Sequence, residues 1–294
     1  MKTGIKLLMA ACLSLSAASA LAQTTADGTA TPKPKVYALI SAVGDQFTYV
    51  TQKESVGSNI LDHYDRRVIK IPNDALNASV LKGLDDAIAQ RDPGSKRILA
   101  RLNPLVMEGV RPIDREKVAM RKLLETLDKF PQRQEWDTII VVTPKFQFSG
   151  RKGMGSKLEG LGIYVQPLES SRLADDTGQD ILGSDGEETI TPDGKQNNKR
   201  SNTYVAPYNY TQTWVFDAKT LKVLDTSARY EYQRIYDPES TAINLARSIP
   251  IEKLVQIFTT FVERSVARGV GEAMPIIEMG EIRPVAPQPA KPKS

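Results

Sequence analysis

The chain has 294 residues, 25% of them charged, and 39 Lys and Arg against 35 Asp and Glu give a formal net charge of +4. Setting aside Lys2 and Lys6 of the leader leaves 37 basic against 35 acidic side chains, a net of +2, and nothing in that balance predicts a nucleic-acid partner. Cys12 is the only cysteine and His63 the only histidine, so the chain past the leader has no disulfide, thiolate nucleophile or cysteine-ligated metal, and any imidazole base must be His63.

The opening MKTGIKLLMAACLSLSAASALAQ has Lys2 and Lys6 ahead of an apolar run and ends on Ala20-Leu21-Ala22, the layout of a secretory signal peptide over 1–22. Ser14, Ser16 and Ser19 interrupt the run, which falls short of the ~20 residues a span needs. Export to the periplasm, with a mature start near Gln23 and no membrane insertion after cleavage, is therefore expected. Lipidation of Cys12 is the lesser alternative, because Met9-Ala10-Ala11 is a poor lipobox and leaves only about five apolar residues ahead of the cysteine. Residues 23–35, with TTADGTATPKPK, have too little apolar area to order themselves and are expected to form a flexible linker.

An α/β (α+β) domain is expected over 36–275, large enough to hold by its own core. VYALISAV (36–43) and QFTYVTQ (46–52) are strand-like runs separated by Gly44-Asp45, which predicts a tight antiparallel hairpin. RRVIKIP (66–72) is a third strand. Leu76, Val80, Leu81, Leu84 and Ile88 then recur at helical spacing, and Asp114 is the expected N-cap of a second helix carrying Met120, Leu123, Leu124, Leu127 and Phe130 up to Pro131. The unbroken apolar centre of WDTIIVVTP (136–144) suits a strand covered on both faces, and it and LGIYVQP (161–167) are the candidates for the central strands. The acidic, Gly-rich stretch 169–202 is read as a mobile loop.

From Tyr208 the alternation is nearly clean: Tyr208, Tyr210, Gln212, Trp214 and Phe216 share one face, Asn209, Thr211, Thr213 and Val215 the other. A second strand follows, with Tyr230 and Tyr232 matching the aromatic face. The pattern predicts one buried aromatic face and one wet face. A long helix from Ile251 to Val270 follows and is expected to cover the aromatic face. The end of the chain, 276–294, is Pro-rich and expected to be disordered. The whole is expected to be a single domain with a mixed, largely antiparallel sheet under amphipathic helices.

Candidate chemistry is sparse. His63 with Asp62 and Asp65 is the only acid–base grouping that a hydrolase could use, and a lone histidine in a charged loop is more often idle. GRKGMGSK (150–157) offers Arg151, Lys152 and Lys157 as a weak anion-binding loop, but it lacks the GK[ST] ending and the following helix of a phosphate loop. Asp175, Asp176, Asp180, Asp185, Glu187 and Glu188 have neither the spacing of an EF-hand nor a nonapeptide repeat, so no metal site and no cofactor are expected.

The segment Val215-Phe216-Asp217, a turn holding Thr220, then Lys222-Val223-Leu224, resembles the D-x-x-T-G-K-v-L hairpin of exported bacterial envelope proteins, among them the TolB amino-terminal domain and the curli-secretion and penicillin-binding-protein-activator lipoproteins. Leu221 stands where that pattern has glycine. KLEGLGIYV together with the leader and hairpin is also similar to a group of uncharacterised exported proteobacterial proteins. The resemblance implies a non-enzymatic α/β protein that works through an envelope partner. The alternatives are a hydrolase on an envelope substrate and a soluble carrier with a pocket between sheet and helices.

Overall fold

The computed structural model describes residues 33–52, 64–148, 158–166, 191, 193, 195, 204–235 and 249–274. The chain divides after Lys33, and every element below belongs to the unit that opens at Pro34. The expected signal segment 1–22, the tail 276–294 and all but three residues of the acidic stretch 169–202 lie outside the described residues.

The described elements are β1 (Val36–Ser41), β2 (Gln46–Gln52), β3 (Tyr64–Lys70), α1 (Ala75–Arg91), β4 (Lys96–Arg101), α2 (Pro112–Asp128), β5 (Thr138–Pro144), β6 (Leu161–Gln166), β7 (Tyr204–Asp217), β8 (Val223–Tyr232) and α3 (Ile251–Ala273). They form a mixed sheet of the expected α+β class. β1 runs parallel to β4 and β5, and β2 parallel to β6. The pairs β2–β3, β5–β7, β6–β7 and β7–β8 are antiparallel.

β7 organises the sheet. Its first half, Tyr204 to Asn209, lies against β6, and its second half, Thr211 to Asp217, lies against β5. β8 occupies the opposite edge. β5 and β6 therefore sit end to end along one edge of β7. Between them Tyr210 donates its N–H to the Gly160 carbonyl at 2.8 Å and accepts from the Lys145 N–H at 2.8 Å.

The same arrangement corrects the expected hairpin at Gly44-Asp45. β1 lies beside β5, β2 lies beside β6, and the two run in one direction as a single broken line from Val36 to Gln52. Gly44, at φ 87°, bends this path without reversing it. The local turn signal loses because remote strands fill both edges of β1 and leave Tyr37 to Ser41 buried. Periodicity also gives no sign of β4, whose short apolar centre Ile98-Leu99-Ala100 is enclosed by Lys96, Arg97 and Arg101.

α1 and α3 cover one face of the sheet. Leu76, Val80, Leu84 and Ile88 of α1 and Leu254, Phe258, Phe261, Val262 and Val266 of α3 pack with Leu39, Ile140, Val142, Ile163 and Val205. α2 covers the other face with Ala119, Leu123 and Leu127 against Ile40, Ile139, Val141 and Phe216. Its N-cap is Arg111, with Pro112 at the first helical position; Asp114 lies inside the first turn, where it accepts from Arg111 Nε at 2.8 Å. Further along the α2 face, Tyr164, Tyr204, Tyr208, Tyr210 and Tyr232 form a third buried cluster.

α3 therefore does not cover the aromatic face of β7. It lies on the face that carries Asn209, Thr211, Thr213 and Val215, and all four are buried. Asn209 Nδ2 donates to Ser265 Oγ at 2.8 Å, Ser265 Oγ donates to Glu231 Oε2 at 2.7 Å, and Arg268 pairs with Glu231. Polar residues at these positions read as wet, but here they are buried, and the Asn209 amide is offset by its hydrogen bond to the helix.

Candidate functional site

Of the residues singled out in the sequence, only Asp65 is described. It is the second residue of β3, opposite Thr51, and forms an exposed ion pair with Arg67 at 3.3 Å. Asp62, His63, Arg151, Lys152 and Lys157 lie outside the described residues, as do the acidic side chains between Asp175 and Glu188. Among the described residues no group of three His, Cys, Asp or Glu side chains could hold a metal ion.

The titratable cluster that the structure does assemble sits where α2 crosses the junction of β5 and β6. Glu116 is half-buried on α2; burial pushes its carboxyl pKa up, and Lys145 together with the Thr143 hydroxyl offsets part of that rise. Lys145 Nζ donates to Gln212 Oε1 at 2.7 Å. Trp214 Nε1 donates to Thr143 Oγ1 at 2.9 Å, and Thr143 Oγ1 in turn donates to the Gln212 carbonyl at 3.4 Å. Tyr230 is raised by burial and by the Glu116 charge. Beside them the Arg115 guanidinium lies over the Phe146 ring, 5.8 Å from its centroid.

A carboxyl with a raised pKa next to an ammonium is the raw material of general acid–base chemistry. In this cluster, however, the Thr143 hydroxyl accepts the Trp214 indole N–H and shares its one proton between the Gln212 carbonyl and Glu116, and Lys145 is held by Gln212. The arrangement suits locking α2 to the sheet better than turning over a substrate. Glu116 leaves a trace in the sequence as the one carboxylate on the α2 stripe, four residues before Met120. Lys145 and Gln212 leave none, since 67 residues separate them and only strand pairing brings them together.

The raised carboxyl makes a signed prediction. Above its folded pKa, Glu116 is charged in a site that disfavours the charge, and this penalty disappears as pH falls below the unfolded carboxylate value. Glu116→Gln is therefore expected to melt higher than the parent at pH 7, with the gain vanishing near pH 4. Thermal melts at the two values check this, and an equal gain at both would assign the effect to packing.

The second functional feature is the set of open sheet edges. Among the described residues β3 pairs only with β2, β4 only with β1 and β8 only with β7. β4 exposes Ile98 (38%) and Leu99 (51%) between Lys96, Arg97 and Arg101. Arg97 Nε donates to Asp85 at 2.6 Å, and Arg101 pairs with Asp74 at 2.5 Å. No helix among the described residues is long and apolar enough to cross a membrane.

No family model matches the sequence, and no curated protein matches it. Two solved structures are similar in fold. One is a Xanthomonas campestris protein of the DUF330 family, at 9% identity and a TM-score of 0.32, covering 81% of this chain and 84% of the other. The second is a Helicobacter pylori homologue of neuraminyllactose-binding hemagglutinin, at 6% identity and a TM-score of 0.30, covering 82% and 84%. Neither is a TolB or curli-secretion domain. Likenesses at this level leave the functional question to the chain's own residues.

Proposed function

We propose that the protein is a non-enzymatic component of the cell envelope, exported to the periplasm, that works by binding another envelope protein. The observation that carries this reading is the edge of β4, where Ile98 and Leu99 are exposed on a strand with one side unpaired among the described residues. Such an edge adds a strand from a partner: main-chain hydrogen bonds give affinity and alternate side chains give selection. Arg97 and Arg101 are paired with Asp85 and Asp74, so Lys96 is the cation that favours an acidic residue on the added segment. The leader-like start and the Asp217-to-Thr220 turn support the envelope assignment. In that turn Asp217 Oδ1 accepts from the Thr220 N–H and hydroxyl, both at 2.7 Å, and Leu221, in the place of the pattern's glycine, takes φ 57°.

Affinity capture from solubilised envelope, with the parent protein and an Ile98→Asp/Leu99→Asp variant side by side, tests this. The parent is expected to retain a partner that the variant loses while its melting temperature stays unchanged. Equal capture by both would remove β4 as the docking edge. Hydrolytic turnover abolished by His63→Ala in a folded protein would overturn the non-enzymatic reading altogether.

A further inference from the structure

The outer edge of β8 differs from the other two, and its hydrogen-bond parity can be worked out. On β7, Tyr210 turns its N–H and carbonyl toward Gly160 and Lys145, so the even-numbered positions there face β5 and β6 and the odd ones face β8. The odd positions pair with Asp225, Ser227, Arg229 and Glu231, which leaves the main-chain groups of Thr226, Ala228 and Tyr230 pointing outward. The Thr226 N–H agrees: it donates to the Asp225 carboxylate at 2.7 Å and not to β7.

From this edge we infer that the protein forms a two-fold dimer by antiparallel pairing of β8 with β8 of a second copy, about an axis through Ser227. In that register Thr226 and Ala228 of opposite copies exchange main-chain hydrogen bonds, and the serines meet on the axis. Asp225 then stands opposite Arg229 of the second copy, twice over, in non-hydrogen-bonded pairs, where side chains come closest; within its own chain Arg229 gives Nε to Glu231 and Nη1 to Glu272, so Asp225 meets it at Nη2 as a third carboxylate. The Asp225 carboxylate, no longer needed as a cap for the Thr226 N–H, turns to the guanidinium. Leu224, 59% exposed in the single chain, meets Tyr230 of the second copy.

Neighbouring registers do worse. An axis through Ala228 sets Asp225 against Glu231, and one through Thr226 sets Asp225 against Ser227, with no cation opposite it. The remaining edges oppose self-pairing. β4 has no acidic residue to set against its three basic ones. β3 can place Asp65 against Arg67 only by placing Arg66 against its own copy. Like charges directly opposite one another are destabilising, and of the three edges β8 alone pairs unlike charges with a small neutral residue on the axis. The dimer uses a different edge from β4, so it stands or falls independently of partner capture.

Sedimentation of the purified protein is expected to show a dimer that dissociates on dilution. Ala228→Pro removes an outward N–H that β7 does not use, so the fold should survive and the dimer should not. With Cys12 replaced by serine, Ser227→Cys should cross-link to a covalent dimer under mild oxidation, because Cα atoms of a non-hydrogen-bonded pair are about 4.5 Å apart and within disulfide reach. Thr226→Cys should cross-link far less. A monomer at every concentration, or a dimer that survives Ala228→Pro with its melting temperature intact, would overturn the proposal.

Discussion

Replacing Phe258 by alanine is expected to lower the unfolding free energy by about 3–5 kcal/mol, the range for deleting a fully buried aromatic side chain, with a lower urea midpoint and an unchanged m-value. Phe258 is fully buried on α3, and its ring is tilted 36° to that of Phe47 of β2 with centroids 5.2 Å apart. The ring sits among side chains of α1, α3 and the sheet, so no single neighbour can collapse into the space it leaves. Trp214→Ala is expected to cost less. Trp214 sits half-buried at the margin of the α2 cluster, although the alternating pattern of β7 marks it as a core anchor. Thr213→Ala, which that pattern would make neutral, should be measurably destabilising, because Thr213 is buried and its Oγ1 lies 3.3 Å from the point where a Cβ on Gly269 would stand. If urea titrations ranked Trp214→Ala above Phe258→Ala, α3 would have to lie on the tyrosine face and the layer order would be wrong.

A glycine-to-alanine exchange is expected to change sign between two helices. At Gly83 of α1, an added Cβ would lie 2.3 Å from the Glu263 carbonyl oxygen and 3.1 Å from its carbon. Both atoms are backbone of α3, so no side chain can swing aside and the helices must separate, loosening Val80 and Leu84 from Val262 and Val266. Gly83→Ala should therefore lose about 1–3 kcal/mol, as overpacked sites do. At Gly271 of α3 a Cβ meets nothing within 4 Å. There the ordinary helical preference operates, and Gly271→Ala should gain up to about 1 kcal/mol. Thermal melts of the two variants with the parent decide the matter; two gains would show that α1 and α3 do not touch at Gly83.

The three helices are legible in the sequence because each carries an apolar stripe that only one fold of the backbone can bury on one side. β5 is legible for a related reason: Ile139 to Val142 is apolar without alternation, and the structure covers it on both faces. What the chain does not disclose is which face a helix chooses. Asn209 looks like a solvent position until Ser265, 56 residues later, supplies a hydrogen-bond partner, and Thr213 looks like one until α3 brings Gly269 against it. Gly44-Asp45 looks like a reversal because turn chemistry is local, whereas the strands that hold β1 straight are written some 60 and 100 residues further on. The Glu116 cluster went unread for the same reason: helix periodicity places its carboxylate on the α2 stripe, but its lysine is fixed only by strand pairing.

The end-to-end placement of β5 and β6 along β7 has a consequence for how the chain reaches its native state. Both half-sheets, β4-β1-β5 and β3-β2-β6, are translated before β7 and have no inner partner until it arrives. The contacts that join them are long-range, as in the 71-residue separation of Trp214 and Thr143. Closure of such loops comes late and is slow. A chain arrested before residue 204 therefore exposes the bare, strongly apolar edges of β5 and β6, and is a prime substrate for holdase chaperones or for aggregation. Translation of residues 204–217 turns two unfinished sheets into one, and the commitment to fold belongs to that segment.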